Sequence, residues 1–205
     1  MKDQGFEIIS AAQDSGGEAA AGPWFDRAHA TFTQIVDETH LISSLYNMMN
    51  VPTGVWINEK GIIVRPPETA YSSNVELTMG GKKLSSNGAD YVVALKDWVA
   101  KGAESQFAMT PEQVTAKMSP RTADQAKAEA LFQLGVHFQH AGDEARANRY
   151  WEQAEALRPD SWNYHRQDWS FTPAEAGKNW LKKFQQLGDA EYYPKLDLPP
   201  MAPKK

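Results

Sequence analysis

The residues able to do chemistry are few, and most stand alone. His137 and His140 are three apart on a helical pattern and could share a face, but no third ligand converges on them. Exposed helix histidines are the plainer reading, and no metal site is expected. Asp37, Glu38 and His40 precede an apolar-periodic stretch and read as a polar helix start, not an acid–base pair. Ser43-Ser44 lacks the glycine-flanked turn that exposes a hydrolase nucleophile. Gly16-Gly17 and Gly80-Gly81 do not form a phosphate-binding fingerprint. The 205 residues include no cysteine, which removes thiolate catalysis, disulfides, cysteine-bound zinc and iron–sulfur clusters from this polypeptide. No cofactor is expected.

Two stretches concentrate the remaining candidates. Residues 161–171 (SWNYHRQDWSF) set aromatic rings beside His165, Arg166 and Asp168. They read either as an aromatic cap packed against the first half of the chain or as a peptide or ligand surface made by Trp162, Tyr164, His165, Arg166 and Trp169. Residues 46–65 (YNMMNVPTGVWINEKGIIVR) read as a helix end, Val51-Pro52-Thr53, and two apolar runs, 54–58 and 62–64, joined through Glu59-Lys60-Gly61. Pro52 gives a sheet no N–H, and the Val51–Pro52 bond is the kind that is cheaply cis. It either forms a cis loop or simply opens the strand in trans.

The elements that must position these residues follow an α/β order. Residues 6–12 (FEIISAA) suit a buried parallel strand, and residues 14–22 a polar loop. Pro23 is placed to open a helix that buries Trp24, Phe25, Ala28 and Phe32. A second strand over 33–36 and a helix carrying Leu41, Ile42 and Leu45 lead to the proline loop. Residues 66–89 read as a long polar stretch, either a flap or locally stranded, in which 75–79 could add a strand. Asp90 begins a helix with Tyr91, Ala94, Leu95 and Trp98 on one face. Residues 103–125 form a connector whose short helix starts at Thr110-Pro111-Glu112-Gln113, a capping box with proline at the first position. Within 126–171, Leu131, Leu134, Gly135, Phe138, Ala147, Trp151, Ala154 and Pro159 match the spacing of a tetratricopeptide repeat of about 34 residues. Residues 172–205 hold a last helix from Thr172-Pro173 and an extended tail, with 199–205 expected to be disordered.

The proline loop and hairpin, in this order of elements, resemble the thioredoxin-like redoxins. The resemblance implies that Val51–Pro52 is cis, that Val51, Pro52 and Thr53 face the reactive pair and the substrate backbone, and that the partner is a peptide or protein thiol. Together with the tetratricopeptide-like hairpin and the YHRQ segment, the chain resembles a bacterial group of redoxin-domain proteins. Some members of that group carry selenocysteine in a Trp-Ala-x-x-Sec-Gly motif. The family's reactive pair follows its opening strand, at the start of the next helix. Residues 1–5 here match the end of that helix. The resemblance therefore covers residues 1–102, a thioredoxin-like α/β core without its first strand and catalytic turn, followed by an all-α extension. No catalytic residue is expected, and the polypeptide is expected to be inactive. A start downstream of a selenocysteine codon, a plain internal start and gene loss would each leave such a chain. The missing strand would lie between residues 6–12 and 54–58. Those neighbours must then pair directly, borrow a strand from a second copy or stay partly unfolded, so a homo-oligomer or a marginally stable chain is expected.

Composition bounds the rest. Apolar residues make up 41% and charged residues 23%, with net charge −5, and neither half is basic, so nucleic-acid partners are disfavoured. No apolar run is long enough to span a membrane. The start, MKDQGFEIIS, has no signal-peptide core, which reads as cytoplasmic as it stands. The rival to a redoxin-type protein is a non-catalytic peptide- or protein-binding module that uses the proline loop and the helical extension.

Overall fold

The computed structural model describes residues 1–201. Among these the chain is mixed α/β, with eight α-helices and six strands. The strands lie in three separate two-stranded sheets. Two compact units form: one from Glu7–Asn50 with Pro120–Gly177, the other from Met1–Phe6, Val51–Ser119 and the residues from Lys178 onward. Residues 7–50 thus belong with the helical extension, and not with the hairpins of residues 51–102 as the sequence boundaries placed them. The reason lies in side chains that the pattern does not show.

In the first unit, β1 (Ile9–Ala12) and β2 (Thr33–Val36) pair in parallel, Ile9 opposite Thr33, and are joined through α1 (Gly17–Ala28). The first strand is shorter than expected and is not buried. Ile9 is 67% exposed, on the face of the sheet that also shows Thr33 and Ile35. α1 starts before Pro23 and holds it inside, so the buried positions are Gly17 and Ala21 while Trp24 stays 65% exposed. Asp37 ends β2, and its carboxylate accepts from Leu41 N and Ile42 N to start α2 (Leu41–Leu45). Leu41 and Leu45 are exposed.

The same unit contains the helical hairpin. α5 (Ala123–His140) opens on a Thr122 capping box, and α6 (Glu144–Leu157) is capped by Asp143 after Gly142, whose φ is 76°. Ala147, Trp151 and Ala154 lie in its core, as the spacing indicated, joined by Ala128 and Phe132, which the spacing did not single out; Leu131 and Phe138 are partly buried and Leu134 faces out. Gly135 sits against the Trp151 indole: a Cβ there would lie 2.3 Å from ring atoms. Residues 162–170 form a third helix, α7 (Trp162–Ser170), capped by Ser161. Its Asn163 donates to the carbonyls of Met48 and Met49, and its Gln167 bonds Ser15 N and Gln13 O. Arg158, buried at the end of α6, donates to Asn47. Those bonds hold residues 7–50 to the hairpin.

The second unit is built on two antiparallel hairpins. β3 (Thr53–Ile57) pairs with β4 (Ile63–Thr69), and Pro66-Pro67 fall at the bulge between the Gly54–Glu68 and Trp56–Arg65 pairs, where the ladder needs no N–H. Asn58 closes the turn, its Oδ1 accepting from Lys60 N and Ile62 N. Of the two readings of residues 66–89 the stranded one holds: they form the end of β4 and a second hairpin, β5 (Asn74–Met79) with β6 (Lys82–Asn87), turning at Gly80-Gly81. Among the described residues β1 pairs only with β2, and β3 only with β4.

α3 (Gly88–Lys101) buries Tyr91 and Ala94 against Trp56, whose indole donates to Tyr91 Oη at 2.9 Å and stacks on Trp98. α4 (Pro111–Lys117) begins on the expected Thr110–Gln113 capping box. Arg65, 0% exposed, forks onto Glu68, donates to the carbonyls of Phe107 and Asp197, and lies 5.3 Å over the Trp56 ring. α8 (Pro173–Gln185) appears where Thr172-Pro173 placed it. The tail beyond it is packed, not loose. Tyr192 and Tyr193 are buried, and Leu196, Leu198 and Met201 lie against the Trp56 core. Of the segment expected to be disordered, residues 202–205 lie outside the described residues.

Candidate functional site

Val51–Pro52 is cis, as the order of elements implied. The loop's carbonyls are engaged inside its own unit. Ala70 N donates to Pro52 O, and Tyr193 Oη donates to Val51 O at 3.0 Å. Tyr71 Oη in turn donates to Tyr193 Oη. Thr53 enters the ladder opposite Thr69. Tyr71 and Tyr193 carry no motif and are distant in sequence, so only the folded tail reveals them. Gly54 leaves room for this arrangement, since a Cβ there would lie 2.6 Å from Tyr91 Oη and 2.9 Å from Ala70.

The aromatic segment divides by exposure. Trp162 and Tyr164 are buried, and the Tyr164 ring stacks on Phe132 at 4.4 Å, which raises its hydroxyl pKa through burial. These two are interior residues, so the open five-residue surface is not formed. α7, which carries them, is bonded to residues 13, 15, 48 and 49 through Gln167 and Asn163. His165, Arg166 and Trp169 are partly buried, with His165 stacked on Trp169. His165 Nδ1 lies 2.9 Å from Glu155 Oε1 of α6, a residue that sequence reasoning passed over. Beside them Asp168 is pushed up to about 6, chiefly by burial and then by the Glu155 charge.

A third cluster was not foreseen. The loop after β1 and the start of α2 bring Gln13, Ser15, His40 and Ser43 together beyond the carboxyl ends of two parallel strands. Ser15 Oγ is 2.9 Å from His40 Nε2, and Gln13 Nε2 donates to His40 Nδ1 at 2.7 Å. Nδ1 therefore accepts and Nε2 carries the proton. Burial lowers the His40 pKa from 6.5 to about 4 against the opposing charge of Asp37, so the ring is neutral. His140, exposed as expected, donates from Nε2 to Ser15 O.

With Nε2 protonated, His40 donates to Ser15 Oγ, so the pair lacks the polarity of a nucleophile and its base. Here Ser15 is 0% and His40 2% exposed. The cavity beside them, lined by His40, Phe132, Arg158 and Tyr164, holds about 10 Å³, room for a water and not for a substrate. The cluster fastens two loops; it has no access for acyl transfer. Among the described residues no group of three or more His, Asp or Glu side chains could hold a metal ion, and no helix is long and apolar enough to cross a membrane. No protein family, curated protein or solved structure matches the chain.

Proposed function

We propose that the chain is a redoxin-domain protein of the thiol–disulfide and peroxide redox class that performs no thiol chemistry with its own residues. The observation that carries this reading is the succession of elements: parallel β1 and β2 joined through α1, then α2, the Val51–Thr53 loop, the β3–β4 hairpin and, after the inserted β5–β6 hairpin, α3. That is the order the redoxin resemblance implies. The finer fold reading joins it, a thioredoxin-like core with a tetratricopeptide-like hairpin in α5 and α6. The small residue Gly135 against Trp151 and the buried Ala147 and Ala154 support the hairpin reading.

Thiol–disulfide exchange requires a thiolate to attack a disulfide sulfur, and this sequence contains none. What the reading leaves to the chain is the holding of a peptide or protein partner at the Val51–Thr53 loop. Two measurements test it. Insulin reduction and peroxide consumption by the chain are expected at the blank rate. The S-carboxymethylated insulin B chain, an extended peptide, is expected to shift the amide resonances of Thr53 and Ala70. Turnover above the blank overturns the chemistry, and unmoved loop resonances overturn the site.

A further inference from the structure

The second hairpin leaves a strand edge unused. Gly80 and Gly81 both have positive φ, 56° and 81°, the pattern of a type I′ two-residue turn. Met79 and Lys82 flank that turn and exchange both ladder bonds. Alternation puts the next bonded pairs at Leu77–Leu84 and Val75–Ser86. The N–H and C=O groups of Lys83 and Ser85 therefore point away from β5. Among the described residues β6 has no strand partner on that side.

A groove of about 1050 Å³ is lined by β6 together with Asn74, Val75 and Glu76 at the start of β5. Six consecutive residues, Lys82 to Asn87, line it, so it meets both faces of β6 and runs along the backbone. Its far wall is residues 187–201, which from residue 191 contain neither helix nor strand. One strand residue occupies roughly 160 Å³, from about 4.8 Å between strands, about 10 Å between layers and about 3.3 Å of rise. The groove thus has room for about six or seven extended residues, and β6 is 6 residues long. Charges along the groove are largely answered within it. Glu76 pairs with Lys83 at 2.9 Å, Glu191 with Lys195 at 3.2 Å, and the Lys82 ammonium donates to Gly188 O. Buried Leu84, Phe184 and Tyr192 supply an apolar wall.

We propose that β6 binds an uncharged extended peptide of about six residues as an added strand, main chain to main chain along Lys83 and Ser85. The groove reaches Tyr193, which holds Val51 O, but the added strand pairs with β6 and the site does not rest on the redoxin reading. Its specificity is for backbone and alternating small apolar side chains, since the groove offers ladder groups and an apolar wall.

The test uses the whole chain and the acetylated, amidated peptide Thr-Val-Thr-Val-Thr-Val, with amide hydrogen exchange read residue by residue. The expected result is protection of the Lys83 and Ser85 amides on adding peptide. The Lys82, Leu84 and Ser86 amides, already bonded to β5, should change little. Ser85→Pro removes one outward N–H without touching the β5 ladder, and should weaken the peptide about tenfold. Retained protection at Leu84 would show that its hairpin is intact. Unchanged exchange at Lys83 and Ser85 in the wild-type chain overturns the proposal. So does protection that rises with protein concentration in the absence of peptide, which would make the occupant a second copy.

Discussion

Acidification should separate two buried groups that respond in opposite directions. His40 is neutral in the fold, with its pKa lowered from 6.5 to about 4. Above the unfolded value both states carry a neutral ring, and no cost arises. As pH falls through that window the unfolded chain binds a proton that the fold refuses. Stability then drops by about 1.4 kcal/mol per pH unit, about 3 kcal/mol in all, and levels off below about pH 4. Asp168 works the other way. Its pKa is raised from 3.8 to about 6, so the fold takes a proton before the unfolded chain does and gains stability as pH falls through that range. Asp168 is only partly buried, and solvent screening cuts this gain to about 1 kcal/mol.

The wild-type chain should therefore weaken between pH 6.5 and 4 with a shallow slope. Asp168→Asn should steepen it, and His40→Asn should flatten or reverse it. Asparagine suits the left-handed backbone at position 40, where φ is 57°. Urea midpoints by far-UV circular dichroism across that range give the slopes. The lost Ser15 hydrogen bond lowers the His40→Asn curve equally at every pH, so only the slope matters. A His40→Asn slope equal to wild type would refute the assignment of the acid response to His40.

Three further substitutions test the packing. Gly135→Ala drives a methyl into the Trp151 ring, and Ala154→Leu overfills the same crossing; each should cost about 1–3 kcal/mol, and an unchanged melting temperature would count against the hairpin packing. Arg65→Met leaves the Glu68 carboxylate without its fork and should cost about 3–5 kcal/mol, while adding Glu68→Gln should recover much of the loss in a thermal melt. Tyr193→Phe removes the donor to Val51 O and should cost about 1 kcal/mol, with faster exchange at Ala70 if the tail steadies the loop.

The sequence was most readable where local chemistry decides structure. The Thr110 capping box, the Thr172-Pro173 helix start and the periodic α5–α6 pair are short-range signals, and each element formed there. In residues 66–89 the strand over 75–79 was legible, while the continuation of β4 through Pro66-Pro67 was not, because a bulge accommodates both prolines within the strand. The helix around Pro23 was misplaced for a related reason: proline favours a first turn but does not require one. The division into units was not readable, because it rests on Asn163, Gln167 and Arg158 reaching residues more than 100 positions away. The same holds for Ser15–His40 and for Tyr193 at Val51, which are single polar contacts between distant segments with no periodicity to announce them. Trp162 and Tyr164 drew attention as a surface because aromatic rings beside charges look alike whether they face solvent or core; their burial settles which.

The most direct test of the central claim is the amide spectrum of the chain titrated with the S-carboxymethylated insulin B chain, with insulin reduction followed on the same sample. Shifts at Thr53 and Ala70 are expected together with a reduction rate equal to the blank. Unmoved loop resonances, or turnover by a chain that has no cysteine, would contradict it.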